Sequence, residues 1–327
     1  MGENSTPKVT RCALYLYPRF APADVPFTHF SLFLGVAMSI TAFPVLARIL
    51  ADSRLTGTPL GALALTCAAI GDVTAWCLLA FAVGVVQGSA GSALLVGAFT
   101  LAFIALMFLV VKPRFERLAH AVCGRRASDG AADDRPAQHA VTIALIALIV
   151  SALATELIGA HAIFGAFLLG AVIPYDSVLA RSLHRGISDL VTILFMPAFF
   201  AFTGMRTEIG LLDGAYEWLV CGLIVAVASV GKFVGTLAAA RLNGLDGRQA
   251  TALGILMNTR GLMEVIVLNV GLDLGVITPT LFTMLVLMAL ATTLMTAPLL
   301  QGVGAGVTRK EEGGRRMNAR PDSGTRR

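Results

Sequence analysis

Residues 59–87 read PLGALALTCAAIGDVTAWCLLAFAVGVVQ, and the single charged side chain among them, Asp72, lies near the middle of the run. As a helix this stretch is about 40 Å long at 1.5 Å per residue. That exceeds the roughly 30 Å hydrocarbon core of a bilayer, and no strand or ordinary core helix stays apolar for so long. The reading that decides the fold is therefore a transmembrane helix with a carboxylate at its midpoint.

Eight further apolar stretches flank it, at 28–50, 90–111, 140–158, 161–174, 189–205, 217–240, 249–271 and 279–301. The expected fold class is an all-α polytopic membrane protein of about nine transmembrane helices. Composition agrees, because 56% of the 327 residues are hydrophobic and only 14% charged, where a soluble domain carries about a quarter charged residues. The fifth stretch is short and contains glycine, and the sixth holds Pro197 beside Phe195, Phe199 and Phe200. Both are expected to be tilted or broken.

Loop charge tests this topology. Alternate loops collect Arg54; Lys112, Arg114, Arg117, Arg125, Arg126 and Arg135; Arg181 and Arg185; Arg241 and Arg248; and the basic tail from Arg309 to Arg327. The opposite loops hold only Arg206. The positive-inside rule assigns the basic side to the cytoplasm, which puts the C-terminus there, in the cell (inner) membrane of a multi-pass protein. The N-terminus then lies outside without a cleavable leader pattern, although Lys8, Arg11 and Arg19 would have to cross. An odd number of spans missing upstream would repair this. The expected organisation is a non-native or disordered segment 1–26, first-half core helices 27–111, a cytoplasmic linker 112–138, second-half helices 139–301 and a disordered basic tail 302–327.

Ionisable groups at membrane depth are costly and mark function by default. Asp72 has no cationic residue one helical turn away, so any partner comes from another helix. Such a carboxylate can hold a proton or a partly dehydrated cation. Lys232, in VASVGKFVGTLAAA, lies deep in the seventh stretch, too far from Arg241 for snorkelling to explain it. Arg260 and Glu264, at i and i+4 in MNTRGLMEVIVLNVG, share a helix face and can neutralise each other. They read as scaffolding for a broken helix. Glu156 and His161 flank a tight turn and read as a solvated interfacial pair.

Two stretches carry interruptions. In SITAFPVLARIL, Pro44 frees the carbonyl of Ile40, and Ser39 and Thr41 stand just before it. In the eighth stretch Asn258, Thr259, Arg260 and Gly261 offer backbone freedom and polar oxygens. Paired interruptions in the two halves of a transporter point to a midplane site, where half-helix dipoles and freed carbonyls stabilise an ion. An intramembrane aspartyl protease would need two midplane aspartates. Beside Asp72 the chain offers only Tyr175–Asp176 at a membrane edge, so this class is set aside. The five cysteines form no CxxC or metal spacing, and neither a phosphate-binding loop nor a nucleic-acid module is present. No cofactor is expected.

At SITAFPVLARIL (39–50), AAIGDVTAW (68–76), GAHAIFGAFLLGAVIP (159–174), VGKFVGT (230–236) and MNTRGLMEVIVLNVG (257–271), the chain resembles the monovalent cation:proton antiporter family. That family includes bacterial potassium-efflux types and plant cation/proton exchangers. The resemblance implies inverted repeats of a dozen or so helices, with two broken helices crossing beside the ion-binding carboxylate. The broken helices would be those at Thr41–Pro44 and Asn258–Gly261, the carboxylate Asp72 and its partner Lys232. It also implies a secondary transporter and no enzyme, with K⁺ or Na⁺ and H⁺ as substrates, no metal beyond the transported cation, and a homodimer when full-length. The similarity begins at what looks like the family's fourth helix, leaving three upstream. The alternative expectation is an inactive or regulatory remnant. Relatives often carry Asp or Asn where this chain has Gly71, so its site has less negative charge.

Overall fold

The structure, a computed structural model, describes residues 6–88, 90–117, 135–174 and 177–304, and every regular element among them is helical. In chain order the helices are α1 (Thr6–Phe20), α2 (Phe27–Ser39), α3 (Phe43–Asp52), α4 (Pro59–Gln87), α5 (Ala90–Leu106), α6 (Arg135–Ile158), α7 (Ala162–Val172), α8 (Val178–Leu190), α9 (Met196–Arg206), α10 (Ala215–Leu242), α11 (Gly247–Met257), α12 (Leu262–Asp273) and α13 (Pro279–Gly304). The expected tail beyond Gly304, most of the linker (118–134) and the Tyr175–Asp176 pair lie outside the described residues.

All nine apolar stretches form helix, but they are not nine full crossings. Among the described residues seven runs are long and apolar enough to cross a membrane, and α11 with α12, bent by 43°, makes an eighth if the pair is one span. The stretch 161–174 is α7, of 11 residues, and at about 16 Å it covers half the hydrocarbon thickness. The stretch 189–205 is not broken. It belongs to one run, Leu179–Leu211, with a π turn at Val191–Phe195 just before Pro197. Proline offers no N–H to the preceding turn, and the wider π turn accommodates that loss without ending the helix. A second π turn, Met107–Val111, likewise precedes Pro113. This run continues to Arg117, so the expected linker starts several residues later than 112.

The chain divides into two compact units, Met1–Ala75 with Thr207–Arg327, and Trp76–Arg206. In the first, α1 packs on α2 and α10, with Ala13, Leu16 and Phe20 buried. Tyr17 meets the rings of Phe27 and Phe30 edge-on, with centroids 5.3 and 5.6 Å away. The Thr278 hydroxyl donates to the Phe20 carbonyl at 3.0 Å. Within the segment 1–26, expected to be non-native or disordered, the described residues form a packed helix followed by a turn. The apolar core of this unit joins Leu46 and Leu50 of α3, Leu60, Ala64 and Ala68 of α4, Ala252, Leu253 and Leu256 of α11, and Leu300 of α13. On α4 these residues recur every fourth position, so they line one face.

In the second unit α6 and α7 form an antiparallel hairpin whose turn uses Gly159 (φ +90°) and His161 (φ +66°). The Glu156 carboxylate accepts from the Ala162 N–H at 2.7 Å, capping the N-terminus of α7. It is thus a cap and not an ion pair with His161, whose Nδ1 accepts from the Ile163 N–H at 3.4 Å. The Ser151 hydroxyl donates to the Gly165 carbonyl at 2.6 Å. A Cβ at position 165 would stand 2.2 Å from the Ser151 carbonyl oxygen and 2.5 Å from the Thr155 hydroxyl. Gly165→Ala is therefore expected to lower stability by about 1–3 kcal/mol through overpacking, read as a fall in the thermal unfolding temperature of the detergent-purified protein. Gly170→Ala on the same helix meets nothing within 4 Å and is expected to be neutral or slightly stabilising. Equal behaviour of the two would refute this account of the hairpin.

Candidate functional site: two crossing helix breaks beside a buried carboxylate

The site is built around two interruptions in the first unit. α2 ends at Ser39, and α3 starts at Phe43, with Ile40 and Ala42 extended between them. Pro44 sits in the first turn of α3, where its missing N–H costs nothing to its own helix and leaves the Ile40 carbonyl without a helical donor. The break thus lies just before the proline. α11 ends at Met257 and α12 starts at Leu262, so Asn258, Thr259, Arg260 and Gly261 form the second break.

The two breaks cross in direct contact. The Ala42 N–H donates to the Thr259 carbonyl at 3.1 Å, and the Thr41 hydroxyl donates to the Met257 carbonyl at 3.1 Å. Their approach requires Gly261, where a Cβ would stand 2.6 Å from Val45 Cγ2. The Arg260 backbone is clasped by α13: its N–H donates to the Thr293 hydroxyl at 3.0 Å, and that hydroxyl donates to the Arg260 carbonyl at 2.7 Å.

Arg260 and Glu264 are fully buried. Arg260 Nη1 donates to Glu264 Oε1 at 2.7 Å and to the Ala37 carbonyl at 3.3 Å, while Nη2 donates to the Met38 carbonyl at 2.8 Å. The i,i+4 pair read from sequence forms, although Arg260 lies in the break and only Glu264 is on α12. The guanidinium does more than neutralise the acid. It satisfies carbonyls in the last turn of α2, which have no partner within the helix and carry its negative dipole end. Glu264, in the first turn of α12, complements the opposite dipole end.

Lys232 reaches the first break. Its Nζ donates to the Ile40 carbonyl, the group that Pro44 leaves free. Its charge is within electrostatic reach of Arg260, Glu264 and Asp72. The direct ion pair between Lys232 and Asp72 that the resemblance implied is not formed: the ammonium is on a backbone oxygen instead.

Asp72 is 6% exposed, near the middle of α4. It lies one helical turn beyond Ala68, on the face whose Leu60, Ala64 and Ala68 share an apolar cluster with residues of α3 and α11. Its charge is within electrostatic reach of Lys232, whose ammonium is bonded to the first break. Its Oδ1 is buried and has no hydrogen-bond partner among the described residues, and the same is true of Asn258 Oδ1 and Glu264 Oε2. Of the other residues singled out, Ser39 and Thr259 donate their hydroxyls within their own turns, to the Val36 carbonyl at 2.8 Å and the Leu256 carbonyl at 2.9 Å. Thr293 was missed by sequence reasoning, since a threonine in an apolar span is an ordinary occurrence.

Residues 13–302 match the family described as the sodium/hydrogen exchanger, transmembrane. The chain belongs to the sodium/hydrogen exchanger family. This is a family of transporters, and the match begins within α1. The chain is 44% identical over 285 residues to the Na(+)/H(+) antiporter NhaS4 of Synechocystis sp., covering 87% of this chain and 68% of that protein. It is 40% identical to cation/H(+) antiporter 20 of Arabidopsis thaliana, covering 87% of this chain and 34% of the relative. With the K(+)/H(+) antiporter 1 of Saccharomyces cerevisiae the identity is 34%, covering 85% of this chain and 31% of the relative. This sodium/hydrogen exchanger homologue thus spans about two thirds of the cyanobacterial relative and about a third of the plant and yeast ones.

Proposed function

We propose that the chain exchanges a monovalent cation, K⁺ or Na⁺, for protons across the membrane by competition at Asp72. The observation that carries this reading is the buried Asp72 carboxylate oxygen, without a hydrogen-bond partner among the described residues and within electrostatic reach of the Lys232 ammonium on the first break. A proton or a cation satisfies that oxygen, and one excludes the other. Movement of the core that exposes the occupied carboxylate to each side in turn makes the exclusion an exchange. Lys232 supplies the counter-charge. With its ammonium on the Ile40 carbonyl, it offsets the carboxylate without occupying it.

Gly71 stands where a second acid could, so one carboxylate carries the exchange. With Lys232 protonated throughout the cycle, one cation moves for one proton and no net charge crosses; were Lys232 also to release its proton, net charge would move. The basic loops put the C-terminus in the cytoplasm of a cell whose inner membrane holds the protein. Lipid meets the outward apolar faces, and the working unit of the full-length protein is a homodimer.

The test is cation-driven proton movement in everted vesicles carrying this chain, with K⁺ and Na⁺ added separately, with and without an imposed potential. Dissipation of a preformed pH gradient by one cation, at a rate indifferent to the potential, is expected. A folded, inserted chain that responds to neither ion would sink the exchange reading and leave the inactive remnant in its place. The relatives are named as Na⁺/H⁺, K⁺/H⁺ and cation/H⁺ antiporters, so both ions must be offered.

A further inference from the structure

We propose that the side-chain oxygen of Asn258 is a direct ligand of the transported cation, shared with the Asp72 carboxylate, and that it selects for the cation over the proton. The inference rests on the exchange reading above and deepens it.

Asn258 is 7% exposed, and its Oδ1 is buried without a hydrogen-bond partner among the described residues. A buried amide oxygen with no donor is costly, and native structures keep such groups where something outside the protein's own network satisfies them. Its place in the chain says what that is. Asn258 lies between Met257 and Thr259, whose carbonyls are the two points at which the breaks are bonded together. It therefore sits at the crossing itself, next to the residue that faces Thr41 and hence beside the Ile40 carbonyl held by Lys232. Leu60, Ala64 and Ala68 of α4 share one apolar cluster with Leu253 and Leu256 of α11, and Asp72 is the next position on that α4 face. The orphaned oxygens of Asp72 and Asn258 thus follow directly on residues of one shared cluster, and Lys232, bonded to the first break, is within electrostatic reach of Asp72.

The chemistry of the two oxygens differs in a useful way. A carboxylate accepts a proton or a cation. An amide oxygen has lone pairs for a dehydrated cation but does not take up a proton near neutrality, and amide-type carbonyls replace the hydration shell of monovalent ions elsewhere in membrane proteins. A site made of one of each binds the proton through Asp72 alone and the cation through both. Losing Asn258 then weakens the cation and leaves the proton untouched.

The experiment measures the cation concentration giving half-maximal exchange at several pH values, for the parent, Asn258→Ala and Asn258→Asp, together with cation-induced thermal stabilisation of each purified protein. For Asn258→Ala the half-maximal concentration is expected to rise about tenfold by the same factor at every pH, as for the loss of one charge-assisted contact. The maximal rate is retained, and thermal stabilisation requires correspondingly more cation. Asn258→Asp adds a second acid, so the pH dependence of the half-maximal concentration is expected to steepen. An Asn258→Ala protein whose half-maximal concentration is unchanged while the parent responds overturns the ligand assignment alone. So does one in which cation and pH dependence shift together, as a merely structural disturbance of Asp72 would produce. A parent with no cation response in either assay overturns the exchange reading and the assignment with it.

Discussion

Asp72→Asn is expected to reduce cation-driven proton movement to that of vesicles lacking the protein. The substitution keeps the size and shape of the side chain and removes both its negative charge and its ability to take a proton. A carrier that works by exclusive occupancy of one carboxylate has no second route, so the effect should exceed a hundredfold, corresponding to about 2.7 kcal/mol or more. Folding can be separated from transport in the same samples. Asp72 Oδ1 has no hydrogen-bond donor among the described residues, and a neutral amide is less costly to bury than a charge. The variant is therefore expected to unfold at the parent's temperature or above it. Asp72→Glu keeps the charge but moves it by a methylene group, and some exchange should survive. Substantial exchange by a folded Asp72→Asn protein would remove Asp72 from the mechanism.

The second large effect concerns stability. Glu264→Ala is expected to cost about 3–5 kcal/mol, because it leaves the fully buried Arg260 guanidinium with only backbone carbonyls as partners. Arg260→Met should cost a similar amount, since it strands Glu264 and also uncaps the last turn of α2. The double variant, Arg260→Met with Glu264→Met, distinguishes the two contributions. Two matched apolar side chains relieve the uncompensated charge, so the double variant should be more stable than either single one. It should remain below the parent, because the Ala37 and Met38 carbonyls have lost their donor. The measurement is denaturant or thermal unfolding of the four proteins in one detergent. A Glu264→Ala loss below about 1 kcal/mol would mean that water or another cation already compensates the guanidinium.

Much of this was legible in the sequence because hydrophobic length and rare intramembrane charge are strong signals. The midpoint position of Asp72, the two interruptions and the Arg260–Glu264 pair could all be read from spacing. α1 was not, because hydropathy detects what is apolar all round. This short helix mixes Arg11, Arg19 and Thr10 with Leu14, Leu16 and Phe20, and earns its order from one buried face. α7 was counted as a crossing since composition alone does not show that 11 residues are too few once the turn at Gly159–His161 is taken out. Pro197 was expected to break a helix, but a π turn absorbs it. In the site, the location of Lys232 was readable and its partner was not. An ammonium facing a break can choose a carboxylate or a carbonyl, and the choice depends on distances that sequence does not carry.

Most of the donors at this crossing are side chains, whereas most of the acceptors are main-chain oxygens of Ala37, Met38, Ile40, Met257 and Thr259. A main-chain oxygen is present whatever residue occupies the position. Mutational scanning of this protein will therefore give a lopsided map. Lys232, Arg260 and Thr41 will score as sensitive, while Ala37 and Met38, equally involved, will register only the bulk of whatever replaces them. Natural drift obeys the same asymmetry, so half of this crossing can be preserved in shape while its letters change freely.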